Sequence, residues 1–220
     1  MKERGMIFNG EMVRAILDGR KTQTRRIMAP QPADDIERCI FPNPGAIGWK
    51  SSLRHKHGST TAHFCPHGKP GDRIWVREAF RVHSRATDVA TLVYKASERN
   101  SWTEQTNRVP VSVCNKPATP EKWTPSLHMP RWASRLLLEI TDVRVERLNA
   151  ISEEDARAEG IIDGGCLNCG EPEPCGCANP EPDATDAFAY LWQSIYGSDS
   201  WNANPWVWVI EFKRVEGGAA

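Results

Sequence analysis

No apolar run in this chain approaches the roughly 18–20 residues of a membrane-spanning helix, and no leader-like segment opens it. The expectation is a cytoplasmic protein without a membrane partner. Net charge is missing too, since 28 Lys and Arg balance 28 Asp and Glu. With no global field to attract nucleic acid, any such binding has to rest on a local basic patch. A P-loop is excluded although Gly19-Arg20-Lys21-Thr22 resembles the end of one. That motif needs a glycine-rich turn before its helix, and here the helix comes first. The seven cysteines form no even disulfide set, and four of them crowd into a dozen residues, which suggests metal rather than disulfides in a cytosolic chain.

What is present is ordinary in bulk. The 220 residues suit one domain, or one domain with insertions. A hydrophobic content of 40% and a charged content of 25% fit a soluble globular protein. The unusual stretch is Gly19-Arg20-Lys21-Thr22-Gln23-Thr24-Arg25-Arg26, with four cations, two hydroxyls and no acid. It follows an amphipathic helix whose Met12, Val13, Ile16 and Leu17 share one face, with Asn9 as N-cap and Gly19 at the end. Cations just past a helix C-terminus also favour the macrodipole, so a solvated basic turn is the plain alternative. Against it, Thr22 and Thr24 point the same way if the segment is extended. Neighbouring cations also disfavour the charged form of Lys21, and a lysine of lowered pKa is a candidate base or nucleophile.

Further along, Arg73–Glu78 and Thr91–Lys95 read as strands, and Ser134–Leu148 reads as a long strand whose alternation changes phase near Thr141-Asp142. Ser152-Glu153-Glu154-Asp155 starts a helix that stops at Gly160. Phe188, Leu191, Trp192 and Ile195 mark another helix, and residues 206–212 a closing strand. Three proline- or glycine-rich stretches, about 28–70, 97–131 and 161–182, read as loop-rich insertions. Few helices between the strands suggest an α+β fold, a small mixed β-barrel with flanking helices. In the last insertion Cys166, Cys169, Cys175 and Cys177 have the number and turns for a closed structural zinc site. His63-x-Cys65-x-His67 is a weaker metal candidate, read as a surface loop with chance histidines.

Taken in order, Gly-Arg-Lys-Thr-Gln-Thr-Arg-Arg after a helix, Pro70-Gly71-Asp72 before a strand, Leu148-x-x-Ile-Ser-Glu-Glu-Asp-Ala after the long strand, and Trp208-Val-Ile-Glu-Phe212 resemble an ASCH domain of the PUA-like superfamily. With Cys65-Pro-His-Gly-Lys-Pro-Gly-Asp72 and Trp75-Val-Arg-Glu78, the chain is most similar to ASCH proteins of phages and prophages. The resemblance covers the regions around 6–27, 69–96, 132–160 and 184–214. It implies a PUA-like barrel. Through the small bacterial ASCH enzymes it implies an amidohydrolase that removes the acyl group from N4-acetylcytidine, with Lys21, Thr24 and Glu159 at the catalytic positions and no catalytic cofactor. Arg20, Arg25 and Arg26 are then substrate-binding candidates. The implied partner is a modified nucleoside or RNA. The competing readings are a PUA-like RNA-binding module, with Arg14 and the basic segment on phosphate and Trp49, Trp201 or Trp206 stacking on bases, and a ribonuclease using the same Lys and Glu.

Overall fold

The computed structural model describes residues 1–41, 47–54, 58, 60–162, 176–178 and 184–215. Its elements in chain order are β1 (Glu3–Ile7), α1 (Gly10–Leu17), β2 (Gln23–Ile27), β3 (Glu37–Ile40), β4 (Ile47–Ser51), β5 (Thr61–His63), β6 (Arg73–Arg77), β7 (Phe80–Arg85) and β8 (Val89–Tyr94). There follow α2 (Trp102–Gln105), β9 (Thr106–Pro110), β10 (Leu137–Arg147), α3 (Glu153–Ala158), α4 (Ala184–Tyr196), α5 (Ser198–Asn202) and β11 (Trp206–Arg214). The fold is a mixed α+β one. Among the described residues its eleven strands form three sheets, of order β1-β6-β10-β11-β2, β3-β4-β5 and β7-β8-β9, rather than one closed barrel.

The chain divides into two compact units. The first holds residues 1–19, 71–140 and 212–220. Here Asn9 caps α1 by accepting from the Met12 amide at 2.8 Å, and Gly19 follows with φ 78°. That is the left-handed end the sequence called for. Strand β1 runs parallel to β6, and β6 pairs antiparallel with the start of β10. Gly5 lies opposite Trp75 in the parallel pair, and a Cβ there would come within 2.5 Å of the indole. Gly5→Ala therefore displaces Trp75 and is expected to cost about 1–3 kcal/mol, read as a lower urea midpoint at unchanged m-value. The core of this unit is Phe80, Val82, Ala90, Leu92, Tyr94, Val109 and Met129, the inward residues of the β7-β8-β9 sheet and the loop beneath it.

The second unit holds residues 20–70 and 141–211. Strand β11 pairs antiparallel with β2, setting Trp208 opposite Arg26, Val209 opposite Arg25 and Ile210 opposite Thr24. Its core joins Leu148, Ile151 and Ala156 to Phe188 and Trp192 of α4 and to Val207 and Val209 of β11. On β10 burial passes from Leu138 and Ile140 to Val143, so the inward phase shifts by one across Thr141-Asp142.

Two stretches read as irregular carry strands. Within 28–70, β3, β4 and β5 pair antiparallel, and within 97–131, α2 is followed by β9, which pairs with β8. Their sequences hide this because each strand is only three to five residues long. Such strands offer too few positions for a period of two to show. Strand β7 was not anticipated either. A register shift between Val82 and Ser84 breaks its alternation.

Candidate functional site in the second unit

The basic segment folds inward. Lys21 faces Glu159 as an isolated antiparallel bridge, and the Thr22 amide donates to the Ala158 carbonyl at 2.9 Å. Glu159 is fixed by the end of α3. The Ser152 side chain caps the start of that helix, accepting from the Asp155 amide, and Gly160 closes it with φ 90°. The Lys21 ammonium Nζ then donates to the Glu159 carboxylate Oε2 at 2.6 Å and to the Glu159 carbonyl at 2.8 Å. Lys21 is 2% exposed and Glu159 4%. Burial pushes the lysine below its ordinary pKa. The Glu159 charge and hydrogen bond offset part of that, while Arg26 and Arg25 add to the lowering.

Arg25 is buried beside this pair. Its Nη1 donates to Glu159 Oε1 at 3.3 Å, and its Nη2 donates to Asp155 at 2.9 Å and Glu146 at 3.2 Å. The Phe188 ring lies 5.9 Å from the guanidinium carbon. Gln23 donates to the Asp155 carbonyl at 2.7 Å and to its carboxylate at 3.1 Å. Arg144 donates to Glu146 at 2.5 Å and Asp155 at 2.8 Å, and it is also paired with Glu211.

These partners fix the faces of β2. Of the residues spaced by two, Lys21 reaches the Glu159 carboxylate, Gln23 that of Asp155, and Arg25 both. Thr24 lies one residue out of phase, so it belongs to the opposite face with Arg26. Thr24 is buried, and the hydrogen bonds joining Lys21 to Glu159 do not include it. Thr22 is exposed. Of the three catalytic candidates, the fold brings Lys21 and Glu159 into contact, and Thr24 is buried three residues on in the same strand segment. Of the three arginines, Arg25 spends its fork on protein carboxylates, Arg20 donates to the Gly160 carbonyl at 2.7 Å, and Arg26 is half-buried.

Sequence reasoning missed Asp155, Glu146, Arg144 and Gln23. The signal was spacing. Asp155 lies four residues before Glu159, on the same side of α3, and Arg144 and Glu146 are two apart on β10. Asp155 titrates below the ordinary carboxylate range. Burial alone would raise it, but the charges of Arg25 and Arg144 and the hydrogen bonds from Arg25 and Gln23 outweigh burial. A carboxylate whose native pKa is depressed adds stability above its unfolded value of about 4, and that stability is lost as pH falls through the native pKa. Asp155→Asn should therefore flatten the acid limb of the stability curve, measured by urea unfolding at neutral pH and again near pH 3.

The tryptophans proposed for stacking have partners inside this unit. Trp49 is buried edge-on against Trp208 at 5.0 Å, Trp201 packs on Phe188 at 6.2 Å, and Arg147 lies over Trp206 at 4.6 Å. His63 is buried and shares a 2.9 Å hydrogen bond with the Ser51 hydroxyl. Cys166, Cys169 and Cys175 lie outside the described residues. Among the described residues no group of three or more His, Cys, Asp and Glu is placed to hold a metal. No helix there is long and apolar enough to cross a membrane.

No family model matches this chain, and neither a curated protein nor a solved structure does.

Proposed function

We propose that the Lys21–Glu159 pair is the catalytic centre of an amidohydrolase that removes the acyl group from an N4-acylated cytidine. The observation that carries the reading is the 2.6 Å contact between a lysine and a carboxylate that stand 138 residues apart and are both buried. A buried pair of this kind supplies what amide hydrolysis needs, a base for water and a donor for the leaving amine. The lowered pKa of Lys21 makes its neutral amine easier to reach than that of a free lysine. In that form Lys21 takes a proton from water as the water oxygen bonds to the acyl carbon. The proton passes across the short hydrogen bond to Glu159. Glu159 gives it to the exocyclic nitrogen as the carbon–nitrogen bond breaks. Water has then been consumed, cytidine and a carboxylic acid are released, and both residues return to their starting state.

The ASCH assignment and the PUA-like barrel belong to the same proposal and rest on the motifs around Lys21, Asp72, Ser152 and Trp208. Thr24 keeps the role the resemblance implies for it, a hydroxyl that holds the water or the developing oxyanion. A structural zinc on Cys166, Cys169, Cys175 and Cys177 rests on the cysteine spacing, and metal analysis of protein purified without chelator tests it.

The deciding experiment is release of cytidine from N4-acetylcytidine by the purified chain. The rate should rise with pH and level off below the ordinary lysine pKa of 10.5, because the lowered group is the base. A folded protein that binds oligonucleotide in a salt-dependent way and turns over no acylated nucleoside would overturn the proposal in favour of an RNA-binding module.

A further inference from the structure

We infer that Arg25 is a positioning residue that grips the Glu159 carboxylate from the side opposite Lys21, so that Lys21 acts as a base at lower pH than the pair alone would allow. This rests on the catalytic reading of the pair, and it concerns a residue that the basic motif by itself offers to a substrate phosphate.

Charged groups from β2, α3, β10 and β11 crowd around the pair. From β2 come Lys21, Arg25 and Arg26, and from α3 come Asp155 and Glu159. Strand β10 adds Arg144 and Glu146, and β11 adds Glu211 through Arg144. Helix α4 contributes the Phe188 ring. Arg25 touches three carboxylates, those of Glu159, Asp155 and Glu146, so it reaches the carboxylate of the pair itself as well as its acidic neighbours, whereas the three that Arg144 touches are Glu146, Asp155 and Glu211. Its Nε–H is buried without a hydrogen-bond partner, so the side chain is held by its two terminal nitrogens and the phenyl ring.

Two consequences follow from that placement. The first is orientation. Lys21 takes Oε2 of Glu159 and Arg25 takes Oε1, so the carboxylate is gripped at both oxygens and cannot rotate freely. The second is charge. Arginine stays cationic at every accessible pH. Its fixed charge repels a proton arriving on Lys21. Removing it leaves Glu146, Asp155 and Glu159 with less cation between them. Lys21 then binds its proton more tightly and is neutral only at higher pH. Removing Asp155 does the reverse, because Arg25 and Arg144 lose a counter-charge.

The test needs no substrate. Protein labelled with nitrogen-15 at lysine allows the Lys21 Nζ signal to be followed across pH by NMR, with the signal assigned by its loss in Lys21→Met. Arg25→Met should move the Lys21 titration upward by about one pH unit, a tenfold change in proton affinity. Asp155→Asn should move it downward, and Arg25→Lys, which keeps the charge, should leave it near the parent value. A purely structural role for Arg25 predicts no such pattern of opposite signs. A Lys21 titration that stays put in Arg25→Met, or that moves the same way in Asp155→Asn, overturns the inference. If Arg25→Met fails to fold, Arg25→Lys and Asp155→Asn carry the test, and an unchanged titration in Asp155→Asn sinks it. Because the readout is a proton and not turnover, loss of the amidohydrolase reading would leave this result standing, and the reverse also holds.

Discussion

Glu159→Ala should lower stability by about 3–5 kcal/mol, the usual cost of removing one partner from a buried ion pair. For a chain of this size that corresponds to a fall in Tm of roughly 10 °C. The reason is the company Glu159 keeps. Lys21 is anchored by it at 2.6 Å, and Arg25 reaches it at 3.3 Å, so truncation strands two buried cations. One of them has an escape, because lysine can give up its proton. Folding with Lys21 neutral costs about 5 kcal/mol at pH 7 and about 2 at pH 9, from 1.36 kcal/mol for each pH unit below the free pKa. The deficit of Glu159→Ala should therefore shrink as pH rises. The sign follows from linkage, since a buried lysine of depressed pKa binds fewer protons folded than unfolded and stability climbs with pH up to the unfolded value. The double variant Lys21→Met/Glu159→Leu removes both charges and should recover most of the loss. Denaturant melts at two pH values check all of this. A deficit that is the same at both would mean that truncating Glu159 leaves the protonation of Lys21 unchanged.

The largest effect on activity should come from Lys21→Arg. Arginine retains the positive charge and can donate to Glu159, but it cannot deprotonate. A lysine whose role is to hold Glu159 in place would tolerate the change at the cost of some crowding, on the order of 1–3 kcal/mol. A lysine that serves as base would not. Turnover of N4-acetylcytidine should fall at least a hundredfold, the lower end of what a positioned proton-transfer group contributes. The rise of rate with pH should disappear with it. Lys21→Met should be equally inactive. Steady-state kinetics across pH on the parent and both variants separate the roles, and full activity in Lys21→Arg would remove Lys21 from the chemistry.

How far these conclusions could be read from the residues depended on length and on distance. The helix over 10–17, the strand from residue 73 and the long strand to Arg147 each carry enough repeats of their period to be seen. So does α3, because Ser152 and Gly160 mark both ends. Strands β3, β4, β5 and β9 are too short, and their identity comes from the neighbours they pair with. The site divides in the same way. Lys21 stands out because its neighbours are cations, and the resemblance pointed to Glu159. The fate of Arg25 was not legible, since an arginine at this position serves a phosphate or a carboxylate equally well. Only the fold, by bringing Glu146, Asp155 and Glu159 to it, assigns the partner.

The alternation of β2 also governs how this chain can vary in length. Lys21, Gln23 and Arg25 face one way and Thr24 and Arg26 the other, while β11 fixes the register from Gln23 to Ile27. Adding or deleting one residue inside β2, between Gln23 and Arg25, would put the two ends of the strand out of phase and turn the Arg25 fork away from the carboxylates of α3. Drift by substitution at Thr22 is cheap, because that side chain is exposed. Drift by insertion is not. Length changes have to be absorbed beyond Ile27, where the chain enters its proline-rich stretch and no side chain of the pair is counted from the strand end.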